Sequence, residues 1–218
     1  MTSNLRRVLM GGAALAVMAL LLVLGNARTG DTEAGARMVR MPDGSMVLAR
    51  PGVQAPVLDV YEDFDCPVCK EMERVLDGAM ERLAAEGRVK VVFHPVTIFG
   101  DEPMRSNSIR AAAAARCVPS DRWLAFRAEV YAIQPAPHGS ASGFTTEDLV
   151  AAGGRAGVRG AEFETCVSTQ RHANAHLAQT AKVRLQGTPT LLLDGRMLQG
   201  EAFDPKALEN ALTSGVSV

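Results

Sequence analysis

Hydrophobic and polar positions change their spacing several times along this chain, and each change predicts an element. Arg6 and Arg7 precede an unbroken uncharged run, Val8 to Ala27, which ends at Arg28. As a helix that run would span about 30 Å, enough to cross a bilayer core. The basic flank predicts a cytoplasmic N-terminus and an exported remainder. Its length favours a retained membrane anchor over residues 1–27; small residues at Gly25-Asn26-Ala27 leave a cleaved signal segment, and hence a secreted product, as the alternative. Residues 28–36 are short and polar and read as a linker.

Beyond the linker the periods are those of a mixed α/β domain over 37–218. Arg37 to Met41 and Ser45 to Arg50 flank Pro42-Asp43-Gly44 as a hairpin would. Val57 to Tyr61 is rich in strand formers. Helical spacing follows over Glu71 to Gly87, with Met72, Val75, Leu76, Met80 and Leu83 on one face. Arg88 to Val96 is a second, β-branched strand, so the unit is β-α-β with a parallel crossover. A helical insertion is expected over about 103–185, with helices at Ser106 to Cys117, Asp121 to Ile133, Thr146 to Gly153 and Ala161 to Leu185, and its loosest loop at Gln134 to Phe144. Strand character returns at Thr190 to Leu193, turns at Asp194-Gly195 and continues over Arg196 to Gln199; Asp204-Pro205 opens a last helix.

Composition alters this picture little. A hydrophobic fraction of 47%, a charged fraction of 22% and a formal net charge of −1 fit a globular domain with a membrane segment, and give no electrostatic footprint for a nucleic-acid partner.

The chemistry lies at Cys66-Pro67-Val68-Cys69, between the predicted strand and helix. Proline suits the first helical position because it lacks the N–H that has no partner there. With Pro67 at that position, Cys66 is the N-cap and Cys69 lies one turn in. A sulfur at the N-cap faces free N–H groups and the positive end of the helix dipole, so its thiolate is favoured and Cys66 is the expected nucleophile. Cys69 can then close or reopen a disulfide with it. Asp65, Glu62 and Asp63 oppose ionisation through like charge. One of Asp59, Glu62 or Asp63 is a candidate proton acceptor for Cys69; Asp59 is preferred because it lies within the strand, the alternative being that it ends in solvent at an edge. A lone C-x-x-C is weak on its own, but Cys117 and Cys166 form no second knuckle, which argues against zinc. In an exported chain Cys117 and Cys166 read as a structural disulfide, with two buried free thiols as the alternative. His172 and His176 are one turn apart with no acidic third ligand, so they are taken as exposed or helix-stabilising, and no metal site is expected; His94 and His138 have no evident partner.

Tyr61-Glu62-Asp63-Phe64-Asp65-Cys66-Pro67-Val68-Cys69, with Gly187-Thr188-Pro189-Thr190 far downstream, resembles the thioredoxin superfamily, specifically its DsbA-like branch, over Arg37 to the C-terminus. The resemblance implies a thioredoxin-like fold with an inserted helical subdomain, here preceded by an N-terminal transmembrane helix. It also implies that Pro189 is a cis-proline whose loop faces the cysteines, so that Thr188 and Pro189 join Pro67 and Val68 in the active-site loop and in client binding; the residues alone leave a trans-proline loop open. Similar insertion disulfides occur in some members of this branch. Strongly oxidising members carry His where this chain has Val68, so the resemblance supports dithiol–disulfide exchange better than an extreme potential. It implies no cofactor, exported client proteins with free thiols, and a membrane quinone-linked reoxidising partner. The expected function is extracytoplasmic disulfide formation through Cys66 and Cys69. The alternatives are a reductase or isomerase on the same fold, or a non-catalytic thiolate metal-binding module.

Overall fold

A computed structural model describes residues 35–198 and 203–214. The predicted membrane segment 1–27, and the linker up to residue 34, lie outside the described residues. Among the described residues no helix is long and apolar enough to cross a membrane.

Strands β1 (Arg37–Arg40), β2 (Met46–Ala49), β3 (Val57–Glu62), β4 (Lys90–Pro95), β5 (Thr190–Leu193) and β6 (Arg196–Leu198) form one sheet in the order β1-β2-β4-β3-β5-β6. Among the described residues only β3 and β4 pair in parallel, because helix α1 (Pro67–Ala85) returns the chain between them. Two hairpins supply the sheet's edges. In the second, Asp194 (φ 48°) and Gly195 (φ 80°) both adopt the left-handed conformation that a tight two-residue turn demands. The Asp194 Oδ1 also accepts the N–H of Val57 at 2.8 Å, tying that hairpin to the start of β3.

Alternation along β3 decides which side chains reach the core. Leu58, Val60 and Glu62 are buried, whereas Asp59 and Tyr61 point to the opposite, half-buried face. Against the buried face α1 packs Met72, Leu76, Met80 and Leu83, together with Cys69. Fully removing one such side chain from water contributes about 1.5–3 kcal/mol, so the helix carrying the cysteines is anchored along its whole inner face.

Between β4 and β5 the chain runs through α2 (Met104–Ala115), a short 3-10 turn (Ser120–Arg122), α3 (Trp123–Ala132), α4 (Thr146–Arg155), α5 (Ala161–Ser168) and α6 (Ala173–Thr180); α7 (Pro205–Ser214) follows the last hairpin. The single helix expected over 161–185 is two. Gln170 takes a left-handed φ of 46°, and the N–H of Arg171 bonds to the Cys166 carbonyl at 3.1 Å while that of Gln170 bonds to Val167 at 3.0 Å. This is a Schellman ending built without glycine, so no sequence punctuation announced it. Residues 181–189 are not helical and lead to the loop before β5. Cys117 and Cys166 are disulfide-bonded (S–S 2.08 Å), fastening the end of α2 to α5.

Candidate active site: two cysteines, two aspartates and a cis-proline loop

Cys66 is the N-cap of α1, in an extended conformation (φ −80°, ψ 116°), with Pro67 in the first turn. Its backbone is pinned: its N–H donates to the Asp63 carbonyl at 3.0 Å, and its carbonyl accepts the N–H groups of Cys69 and Lys70 at 3.1 and 3.2 Å. Pro67 and Val68 are exposed, Val68 at 48%, while both cysteine side chains are buried and unbonded to one another. Opposite them the Thr188–Pro189 peptide is cis. As a thiol, Cys66 Sγ donates to the Thr188 carbonyl at 3.4 Å, so the loop and the motif are in contact.

The two sulfurs differ sharply in acidity. The Cys66 thiol is pulled down to about 6, first by the hydrogen bond that Cys69 donates to it, against the opposing effect of burial, and further by the Thr188 side chain and the N–H groups of Cys69 and Val68. Neither N–H is aligned well enough for a full capping hydrogen bond, yet both direct positive charge at the sulfur. Burial, with the neighbouring Cys66 sulfur, pushes the Cys69 thiol well up. One sulfur is thus ionised near neutral pH and the other holds its proton.

The acidic residues around the motif divide into distinct environments. Asp59 does not approach the cysteines; it lies on the other face of β3, where its Oδ1 meets His94 Nε2 at 2.8 Å and His94 stacks on Tyr61. Glu62 is fully buried and spent: Arg127 bonds it through Nε (2.7 Å) and NH2 (2.6 Å), and Tyr131 OH donates to it at 3.1 Å. Arg127 also pairs with Asp77 and lies 4.9 Å from the centre of the Phe93 ring. Asp63 has no such cation. Its carboxylate accepts from Ser108 Oγ (2.6 Å), the Ile98 N–H (2.9 Å) and the Asp65 N–H (2.9 Å), and burial pushes it up to about 7. The Asp63 backbone N–H favours the Cys69 thiolate. Asp65 is likewise buried and pushed up to about 6.

Two expectations about histidines fail. His176 is not exposed: it is fully buried, with Nε2 2.8 Å from Thr97 Oγ1, and burial lowers it to about 4. His94 and His138, which had no evident partner, contact Asp59 and Asp65 respectively. Among the described residues the one group of three close metal-type donors is Cys117, Cys166 and His172, two of which are already joined to each other. A groove of about 280 Å³, lined in part by Thr97, Ile98, Val183, Leu185 and Gly187, opens beside the cis-proline loop.

The thioredoxin family profile matches residues 52–213. The chain belongs to the thioredoxin family. No curated protein matches the sequence. Among solved structures it is similar to reduced DsbG, a disulfide bond oxidoreductase of Mycobacterium tuberculosis, at 28% identity with a TM-score of 0.68, covering 89% of this chain and 91% of that one. The oxidised DsbA of the same organism gives 27% identity and a TM-score of 0.67, covering 84% and 93%. The fold also extends to MdbA, a thiol-disulfide oxidoreductase from Corynebacterium diphtheriae, at 20% identity with a TM-score of 0.67, covering 84% and 96%.

Proposed function

We propose that this chain is a DsbA-like thiol–disulfide oxidoreductase that forms disulfides in exported proteins, held at the outer side of the cell membrane through residues 8–27. The observation that carries the reading is the split between the sulfurs: Cys66 drawn down to about 6 and Cys69 held protonated. A depressed thiolate stabilises the reduced pair and makes its disulfide a stronger oxidant. At pH 7 about one unit of the depression below an ordinary thiol is realised, worth about 30 mV for a two-electron couple. That figure supports an oxidase of moderate rather than extreme potential, as expected with Val68 in place of a cation.

In the forward reaction a client thiolate attacks Cys66 Sγ of the Cys66–Cys69 disulfide. The new bond joins client sulfur to Cys66, and Cys69 leaves as a thiolate that takes up a proton. A second client thiolate attacks the client sulfur of this mixed disulfide and expels Cys66 as the favoured thiolate, leaving the client oxidised by two electrons and the pair reduced. Asp63 is a better candidate than Asp59 for holding the proton exchanged with Cys69: its carboxyl is buried and near half-protonated at neutral pH, and its backbone N–H adjoins Cys69, whereas Asp59 lies on the other face of β3. Pro67, Val68, Thr188 and Pro189 present the exposed rim and the backbone edge against which a client segment would lie. A quinone-linked membrane partner would accept the electrons. A metal-carrier reading is weaker because, among the described residues, no third donor joins Cys66 and Cys69.

The test is trapping. Cys69→Ser should accumulate mixed disulfides at Cys66, resolvable by dithiothreitol, with exported proteins and the recycling partner; Cys66→Ser should accumulate none. Equal trapping through either cysteine, or none through Cys66, would overturn the assignment.

A further inference from the structure

Asp65 immediately precedes Cys66, and its side chain is 1% exposed. Its Oδ1 accepts a 3.3 Å hydrogen bond from Asn107, but among the described residues its buried Oδ2 has no hydrogen-bond partner. A buried carboxylate oxygen left so is costly, and here its charge also opposes ionisation of the adjacent sulfur. Four groups bear on it: Asn107 and Arg110 from α2, His138 from the loop between α3 and α4, and Cys66 itself. The guanidinium of Arg110 is committed elsewhere, to Asn107 Oδ1 (2.6 Å) and the Gly143 carbonyl (2.6 Å). What faces the orphan Oδ2 is His138, whose Nδ1 lies 3.9 Å away.

The loop that carries His138 is fastened on both sides of it. Gln134 Nε2 donates to the Phe64 carbonyl at 2.8 Å, Asn107 Nδ2 donates to the Ala141 carbonyl at 3.0 Å, and Asn107 Oδ1 accepts the Gly143 N–H at 3.0 Å. The His138 ring packs on Phe99, with centroids 5.3 Å apart. Asn107 thus holds both the aspartate and the loop, and sets the distance between them. The imidazole side chain is one-third exposed (32%), whereas its partner is buried.

We propose that His138 is a positioning residue for thiol–disulfide exchange, placing an imidazole nitrogen against the orphan oxygen of Asp65 and so, in its protonated form, relieving the negative charge beside Cys66 that the C-P-V-C motif has no cation of its own to offset. The proposal rests on the reading of Cys66 as nucleophile. The protonated ring attracts the Asp65 carboxylate, the field at the sulfur becomes less negative, and the thiolate is steadied without any contact between His138 and the sulfur.

The experiment reads the Cys66 thiolate directly, by its ultraviolet absorbance against pH, together with the equilibrium of the pair against glutathione, in the parent, His138→Ala, His138→Lys, Asp65→Asn and the double variant Asp65→Asn/His138→Ala. The proposal expects His138→Ala to raise the Cys66 midpoint by about half a unit to one unit and make the pair correspondingly more reducing. His138→Lys should keep the parent midpoint or lower it. In the Asp65→Asn background removal of His138 should move nothing, a result that loss of loop packing would not give. An unmoved midpoint in His138→Ala, or the same shift with and without Asp65, overturns the proposal. A parent midpoint above 8 would instead overturn the reading of Cys66 on which it rests.

Discussion

Glu62 and Asp63 are neighbours in sequence, both wholly buried, and have opposite fates. Glu62 meets a fully buried guanidinium in a two-point pair, shares that cation with Asp77 and is capped by Tyr131. Asp63 meets only neutral donors, a hydroxyl and two backbone N–H groups. The first cluster sets two carboxylates against one buried guanidinium. The second is titratable near 7 because burial penalises its charge and no cation compensates it. The difference shows how one strand end serves two ends: charge matched by charge holds α3 against the sheet, and charge left without a cation makes Asp63 titratable in the neutral range.

Arg127→Met leaves Glu62 and Asp77 buried without their cation and should cost about 3–5 kcal/mol in denaturant unfolding. Adding Glu62→Gln and Asp77→Asn should recover most of the loss. A single variant as stable as the parent would mean that the cluster is not held by charge.

Asp63 sharpens the other side through pH. Its folded value, about 7, lies above the value near 3.8 expected for an unfolded aspartate, so the native state binds the extra proton between them. The contribution is therefore full below about pH 4 and is lost as pH rises to 7, by about 3–4 kcal/mol in all. Asp63→Asn sacrifices local hydrogen bonds and lowers stability at every pH, but should remove this slope relative to the parent. Equal slopes in parent and variant would show that Asp63 carries its charge at no cost.

Much of the site was legible before the fold. Proline at the first helical position fixed Cys66 as the cap, and the β-α-β pattern placed the motif at the strand's mouth. The outward position of Asp59 follows from the sequence pattern: Leu58 and Val60 mark the inward phase of β3, and period two sends Asp59 outward and Glu62 inward. The break at Gln170 was not avoidable by punctuation, since neither Gly nor Pro stands there. Nor were the partners of the acids. Arg127 is 65 residues from Glu62, and His138 comes from the segment that read as the loosest loop; tertiary packing alone brings them in. The burial of His176 has the same origin, its partner Thr97 lying 79 residues away.

The most direct test of the account is the pH dependence of Cys66 alkylation by iodoacetamide in the reduced protein, with Cys66→Ser as the blank. The account predicts a reaction rate that rises through a midpoint near 6 and is level by neutral pH. A rate still climbing in proportion to hydroxide above pH 8, as for an ordinary thiol, would contradict it.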